Sequence, residues 1–152
     1  MTQKSLSKLL KALIITVGVF GAAMLFYAAN VLFTVFEELA PYIVPFLGIC
    51  IIPCYAVLIY SWGVAKNIGN DKSFSYSNAK FLKYNAVLAT CDTLFFTAGT
   101  LALLLLKKAP ATFWGIAVIV VFFGVAASIV FASLSHLVFK AAELQEQSDL
   151  TV

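Results

Sequence analysis

Long apolar runs separated by short polar segments dominate the chain. Four runs are rich in Ile, Val, Leu, Phe and Ala and almost free of charge, at about residues 12–36, 42–65, 85–106 and 112–139. A helix rises about 1.5 Å per residue, so each run is long enough to cross a hydrocarbon core about 30 Å thick. The pattern predicts an all-α integral membrane protein, folded as a four-transmembrane-helix bundle in the lipid bilayer.

The composition supports this class, because 62% of the residues are hydrophobic and only 11% are charged. In soluble domains about 45–50% of the residues are apolar and about 25% are charged. Little sequence remains for a water-soluble part, so residues 1–152 are expected to form a single transmembrane domain. The first run follows three lysines as a secretory signal would, but its length exceeds the about 7–15 apolar residues of such signals. We interpret it as a retained signal anchor.

The lysines predict the orientation, because cationic loops stay on the cytoplasmic side during insertion. Four spans place both termini on one side, together with the polar segment 66–84. Eight of the ten lysines then share that side, and only Lys107 and Lys108 lie opposite. We therefore expect a multi-pass protein of the cell (cytoplasmic) membrane, with both termini and the loop 66–84 in the cytoplasm.

The polar segment also contains signals of local structure. Asn67, Gly69 and Asn70 favour a turn, and Ser75 or Ser77 is suited to cap a new helix. No Pro or Gly follows until residue 99, so the third span is expected to begin as one or two cytoplasmic turns.

One face of these turns is expected to hold Phe74, Asn78 and Leu82, spaced at i, i+4 and i+8. The face is interpreted either as a membrane anchor, with Lys80 and Lys83 directed to lipid headgroups, or as a docking surface for a protein partner.

The stretch "SFSYSNAKFLKYNAVL" after a Gly/Asn turn resembles the DUF2975 family of bacterial four-span membrane proteins. Phe74, Asn78 and Leu82 match its Phe, Asn and Leu positions. Ser73 stands where the family usually has Pro, and the basic residue that follows Leu82 is a lysine. The resemblance implies four spans and no established activity. Members are often encoded beside a small helix-turn-helix regulator, so it also implies a DNA-binding protein as a cytoplasmic partner.

A weak internal repeat suggests two tandem helical hairpins. "LFYAA" at residues 25–29 and "LFFTA" at 94–98 are each followed, after the same interval, by Ala-Pro. Each Pro is expected to end an odd-numbered helix at its outer end.

Ionisable residues inside a membrane are costly and often functional. Asp92 is the one acid well inside a span, and His136 is the one histidine. Antiparallel neighbours could bring the two side chains together as a proton-sensitive switch or a ligand anchor. In the alternative interpretation, Asp92 joins a structural cluster with Asn85, Thr90 and Thr93, and His136 reaches the interface.

The sequence gives little support for redox chemistry, metal binding or catalysis. The three cysteines are expected to be apolar core residues, because a Cys-x-x-x-Cys pair within one helix does not readily close a disulfide. No set of metal ligands, phosphate-binding loop or catalytic arrangement is recognisable. We expect no metal, no cofactor, no enzymatic activity and no direct nucleic-acid binding.

Small residues indicate packing faces. Gly18 and Gly21 on the first span, and Gly124 with Ser128 on the fourth, would permit close helix contact or a homo-oligomer. Two function classes remain open: a non-enzymatic regulatory or sensory membrane protein that engages a cytoplasmic partner, and a small oligomeric transporter or channel subunit.

Overall fold

The computed structural model describes residues 2–35, 37–38, 40–106 and 111–150, without the side chains of residues 111, 112 and 149. It contains helices α1 (Gln3–Val35), α2 (Ala40–Gly69), α3 (Tyr76–Leu105) and α4 (Ala111–Leu150). All four are long and apolar enough to cross a membrane. The protein is therefore an all-α, multi-pass membrane protein, and the predicted fold class is confirmed.

The helices extend beyond the predicted spans. Only residues 70–75 of the polar segment 66–84 lie outside a helix, because α2 continues to Gly69 and α3 already begins at Tyr76. Helix α4 continues past residue 139 to Leu150. Its last turns read "AAELQEQ", a run of strong helix formers without Gly or Pro, which explains why the helix does not end at the membrane surface.

Each helix packs against its neighbours in sequence: α1 on α2, α2 on α3, and α3 on α4. Within the described residues, the backbones of α1 and α4 do not approach each other, so the bundle is an open row. Successive helices are antiparallel. The start of α1, the end of α4 and residues 70–75 share one end of the bundle, which we call the terminal end.

The α1–α2 contact follows a heptad-like stripe. Most of the less exposed residues of α1 recur at spacings of three and four, namely residues 7, 11, 14, 18, 21, 25, 28 and 32; residues 10, 29 and 31 are half-buried as well. This spacing is typical of helices that pack at a small crossing angle. Polar contacts fix the register, since Ser7 Oγ donates to the Ala65 carbonyl (2.6 Å) and Tyr55 Oη donates to the Gly18 carbonyl (2.7 Å).

An apolar cluster joins the other three helices. Phe96 of α3 packs with Cys50 of α2 and Ala117 of α4, and all three are buried. The ring of Phe46 stacks on Phe96 with 5.8 Å between centroids. A Cβ at Gly99 would collide with the Phe46 ring, so Gly99 permits this stacking.

Gly21 and Gly124, both predicted to permit close helix packing, differ in the space around them. Gly124 touches α3, where a Cβ would collide with the side chain of Thr93. Gly21 faces α2, yet a Cβ there would meet no atom within 4 Å. The expectation that Gly21 mediates close packing was wrong for the single chain, because no atom of α2 comes within 4 Å of the position that a Cβ would take.

The predicted role of Pro41 was also wrong. Pro41 lies in the first turn of α2, whereas α1 ends at Val35. The first turn of a helix has backbone N–H groups without helical acceptors, so proline is accommodated there. The corresponding Ala109–Pro110 lies outside the described residues.

Lys–aromatic contacts indicate the depth of the headgroups at the terminal end. Lys11 Nζ lies 5.6 Å from the ring centroid of Trp62, and Lys80 Nζ lies 5.9 Å from that of Tyr84. Trp and Tyr favour membrane interfaces, as the cationic ends of lysines do. Residues 70–75 and the last turns of α4 therefore lie beyond this level, outside the hydrocarbon.

Candidate functional site

Asn78 organises the connection between α2 and α3. Its Oδ1 accepts a 2.8 Å hydrogen bond from Asn67 Nδ2, and its own Nδ2 donates to the carbonyls of Lys72 (3.1 Å) and Ser73 (2.9 Å). The side chain is almost fully buried, at 1% exposure. Both amide protons and the amide oxygen are thus satisfied, and one residue fixes both sides of the loop.

The loop itself is tightly turned. Lys72 N donates to the Asn67 carbonyl (3.0 Å), and Asp71 adopts a positive φ of 59°. Asn and Asp reach this left-handed region more easily than other non-glycine residues do. The turn predicted from Asn67, Gly69 and Asn70 is therefore present, and Asn67 contributes through its side chain as well.

Ser75 caps the N-terminus of α3. It is one of the two serines, Ser75 and Ser77, that the sequence offers as caps. Its backbone is extended (φ −127°, ψ 150°), and its Oγ accepts from Asn78 N at 3.3 Å. Phe74 precedes this cap and lies outside the helix. The expectation that Phe74 shares a helix face with Asn78 and Leu82 was therefore wrong: those two are buried, whereas Phe74 is 59% exposed.

A pocket of about 500 Å³ opens beside Phe74 at the terminal end. We call it the terminal groove. Three parts of the chain form its walls: the start of α1, the loop, and the last turns of α4. The residues that line it are Gln3, Asp71, Lys72, Ser73, Phe74, Ser75, Tyr76, Ala142, Gln145, Glu146 and Leu150.

Hydrogen bonds connect the walls of the groove. Ser73 Oγ donates to Gln3 Oε1 across 2.8 Å, and Tyr76 Oη donates to Glu146 Oε2 across 2.9 Å. The Tyr76 ring also meets Phe139 edge-on, with 5.3 Å between centroids. These contacts hold residues about seventy positions apart in one surface. The groove combines acidic, amide and apolar side chains outside the membrane.

A second set of polar residues lies inside the membrane between α2 and α3. Cys54 Sγ donates to Asp92 Oδ2 (3.3 Å), and Asn85 Nδ2 donates to Ser61 Oγ (3.0 Å). Asp92 Oδ1 and Asn85 Oδ1 are buried and have no hydrogen-bond partner within the described residues. Two buried acceptors therefore lie on one face of α3, two turns or about 10 Å apart.

The structure does not bring Asp92 and His136 together. Ser135 Oγ donates to the Ala79 carbonyl, so His136 lies level with the start of α3. Asp92 is thirteen residues beyond Ala79, about 20 Å along the helix. His136 is exposed, beyond the level of Tyr84. The interfacial position that the alternative interpretation gives His136 stays a prediction.

The predicted structural cluster around Asp92 is not present either. Thr90 and Thr93 donate to carbonyls one turn back in α3, and Asn85 pairs with Ser61. Hydroxyls that bond within their own helix need no partner on another helix. The contact of Asp92 is instead Cys54, a residue that sequence analysis assigned to the apolar core.

A signal for these pairs was available in the sequence. Cys54 and Ser61 are seven residues apart, as are Asn85 and Asp92. Two antiparallel helices with polar residues at the same spacing can align both pairs at once. All three cysteines are free thiols. Among the described residues, no group of three or more His, Cys, Asp or Glu side chains could hold a metal ion.

A family model described as "Protein of unknown function (DUF2975)" matches residues 46–152. The match begins inside α2 and includes the loop, α3 and α4, and therefore both Asn67 and Asn78. Helix α1 lies outside it. No curated protein and no solved structure matches the chain.

Proposed function

We propose, for a chain that belongs to the DUF2975 family, that it is a non-enzymatic regulatory protein of the cytoplasmic membrane and that its terminal groove receives a segment of a cytoplasmic protein. The observation that carries this proposal is the groove itself. Three separate parts of the chain are held by hydrogen bonds around an exposed aromatic residue, outside the membrane.

Phe74 is the main contact residue in this proposal. Its ring is exposed at a position outside the hydrocarbon, where it gains nothing from lipid tails. Large aromatic side chains in the centre of a binding surface often supply much of the binding energy. The Asn78 hydrogen bonds to Lys72 and Ser73 hold the backbone just before Phe74 in place. The ring is thus presented by a loop of fixed conformation, which reduces the entropy lost on binding.

The charges of the groove indicate the chemistry of the partner. Asp71 and Glu146 line it with one lysine, Lys72, and Glu143 lies on the same last turns of α4. A basic segment with one apolar side is complementary to this surface. Small DNA-binding regulators carry basic surfaces, and the family resemblance implies such a partner. The lysine distribution supports a cytoplasmic position of the groove.

A pull-down from native membranes tests the proposal. We expect the tagged protein to recover a cytoplasmic DNA-binding protein, and Phe74→Ser to reduce the recovery about tenfold or more. Phe122→Ser is the matched control, because Phe122 is a similarly exposed aromatic on α4 within the membrane. Equal recovery with both variants, or no such protein with the wild type, contradicts the proposal.

The second candidate is the small oligomeric transporter or channel subunit. It is favoured by the two buried acceptors, Asp92 Oδ1 and Asn85 Oδ1, because unpaired acceptors in a membrane interior suit a proton or cation. Proton flux into liposomes that contain the purified protein separates the two candidates. Flux that Asp92→Asn abolishes and Phe74→Ser leaves intact supports transport and contradicts a purely regulatory role.

A further inference from the structure

Lys11 and Trp62 meet beside the line along which α1 and α2 pack at the terminal end. The Lys11 ammonium lies 5.6 Å from the centroid of the indole ring. Ser7 and Ala65 lie at the centre of this packing line, because Ser7 is buried and its Oγ donates to the Ala65 carbonyl. Lys11 and Trp62 therefore lie together on one side of the line, at the level of the lipid headgroups.

Two further lysines lie on the same side of the packing line. A helix turns about 100° per residue, so Lys8 and Lys11 are rotated from the central residue of α1 in one direction, by about 100° and 40°. On α2, Lys66 and Trp62 are rotated from the central residue in one direction too, by about 100° and 60°. Because Lys11 touches Trp62, both directions point to the same side. We call Lys8, Lys11, Trp62 and Lys66 the basic seam.

The depth of the three lysines matches the headgroup layer, which is about 5–8 Å thick on each side of the hydrocarbon. The backbone of Lys8 lies about 4.5 Å beyond that of Lys11, and the backbone of Lys66 about 6 Å beyond that of Trp62. Lys8 and Lys66 are exposed, and Lys11 is half-buried. Lysine side chains place their ammonium groups at the membrane surface, so all three cations lie at the depth of lipid phosphates.

No acidic side chain neutralises the basic seam. Within the described residues, no carboxylate forms an ion pair with Lys8, Lys11 or Lys66. Two acids of the terminal end, Asp71 and Glu146, line the terminal groove instead. Like charges on adjacent turns of a helix repel each other, so an anion between the lysines is stabilising.

We propose that the basic seam binds the headgroup of an anionic phospholipid, with the lipid phosphate among Lys8, Lys11 and Lys66. Basic pockets between membrane helices on the cytoplasmic side are typical sites for such headgroups. The occupant is a lipid because the cations lie at headgroup depth, where the bilayer itself supplies the phosphates. The bound headgroup joins α1 to α2. No residue of the basic seam lines the terminal groove, so the proposal stands apart from the docking function.

Fluorescence quenching of Trp62 by brominated lipids in liposomes tests the site. The sequence contains one other tryptophan, so Trp114→Phe leaves Trp62 as the single reporter. Brominated phosphatidylglycerol should bind beside Trp62 about fivefold or more tightly than brominated phosphatidylcholine, the factor that one lysine contributes near an anionic headgroup. Equal quenching by the two lipids overturns the proposal.

Substitutions in the same background assign the preference to the lysines. Lys8→Gln and Lys66→Gln should each lower the preference for phosphatidylglycerol about two- to fivefold, whereas Lys66→Arg keeps the charge and should retain it. Lys83→Gln is the matched control, because Lys83 is exposed on α3 at the depth of Tyr84. An equal loss with Lys83→Gln, or no loss with Lys8→Gln and Lys66→Gln, overturns the proposal.

A competition experiment separates a lipid from a free anion. Excess inorganic phosphate should lower the preference for phosphatidylglycerol no more than chloride of equal ionic strength does, because both act only by screening. Loss of the preference in phosphate but not in chloride shows that the basic seam binds a soluble anion, and this result overturns the proposal of a lipid site.

Discussion

The carboxamides of Asn67 and Asn78 meet across 2.8 Å, one in the last turn of α2 and the other in the first turn of α3. This contact closes the six-residue connection 70–75 at its base. Because Asn78 also binds two carbonyls of the loop, it joins the α2–α3 pair to the conformation of the groove wall. Asn78, which matches the Asn position of the DUF2975 resemblance, thus holds in place the loop that forms one wall of the proposed docking surface.

Asn78→Ala should lower the free energy of unfolding by about 1–3 kcal/mol. The change removes three side-chain hydrogen bonds from a buried position and leaves Asn67 without its acceptor. Thermal unfolding in detergent measures the effect. Limited proteolysis should show faster cleavage within residues 70–75.

Asn70→Ala is the control for this change, because Asn70 lies in the same turn and is exposed. It should change neither the unfolding temperature nor the cleavage rate noticeably. If the two variants behave alike, the Asn78 hydrogen bonds do not hold the loop.

Gly124→Ala should destabilise the protein by about 1–3 kcal/mol, because the new Cβ collides with Thr93 in the α3–α4 contact. Gly21→Ala should be neutral or stabilising by up to about 1 kcal/mol, since its Cβ enters open space and alanine favours helix. Thermal unfolding of both variants in the same detergent compares them directly.

A double variant identifies the cause of the first effect. Thr93→Ala removes Oγ1 and Cγ2, the two nearest atoms that a Cβ at residue 124 would meet, so adding it to Gly124→Ala should recover part of the lost stability. Strictly additive losses would show that Gly124 does not pack against Thr93.

The Cys54–Asp92 contact predicts a specific crosslink. With Cys50 and Cys91 replaced by Ala, Asp92→Cys should form a disulfide with Cys54 on mild oxidation, because the native side chains approach to 3.3 Å. A protease site inserted in residues 70–75 makes the disulfide visible, since the two halves stay joined on a non-reducing gel. Leu94→Cys is the control, as Leu94 faces away from the bundle. Efficient crosslinking at Leu94 instead would contradict the α2–α3 register.

Substitutions at Asp92 distinguish a structural role from a functional one. Asp92→Asn should insert and fold as the wild type does, because the amide can still accept from Cys54. Asp92→Leu removes that acceptor and should lower the unfolding temperature. Equal unfolding temperatures for the two variants would show that the thiol–carboxyl contact contributes nothing to stability.

Reporter fusions test the orientation. Fusions within residues 68–74 and at Val152 should be active only with cytoplasmic reporters, and fusions near Pro41 and Ala109 only with exterior ones. An exterior signal at residue 70 would place the terminal groove outside the cell and exclude a cytoplasmic partner.

Hydropathy predicted the number and approximate position of the helices, since crossing a bilayer requires long apolar segments. It could not predict where helices end outside the membrane. The capping serine predicted the helical turns that begin α3, but the polar turns at 66–69 and 140–150 are helical as well, and contacts such as Tyr76–Glu146 hold the end of α4. Those contacts join residues about seventy positions apart, which no local pattern reveals.

The candidate site shows the same limit. Asn78 was identified from the family signature, and Ser75 from its capping preference. The partner of Asp92 and the different roles of Gly21 and Gly124 depend on the rotation of each helix about its axis. In membrane helices that are apolar all round, the sequence contains little information on this rotation.

Photo-crosslinking in living cells from position 74 tests the central claim most directly. With a photoreactive amino acid in place of Phe74, the account predicts one dominant adduct with a cytoplasmic DNA-binding protein, strongly reduced when Asn78→Ala is added. The same amino acid in place of Phe122 should not give this adduct. No protein adduct from position 74, or the same adduct from position 122, would contradict a docking function of the terminal groove.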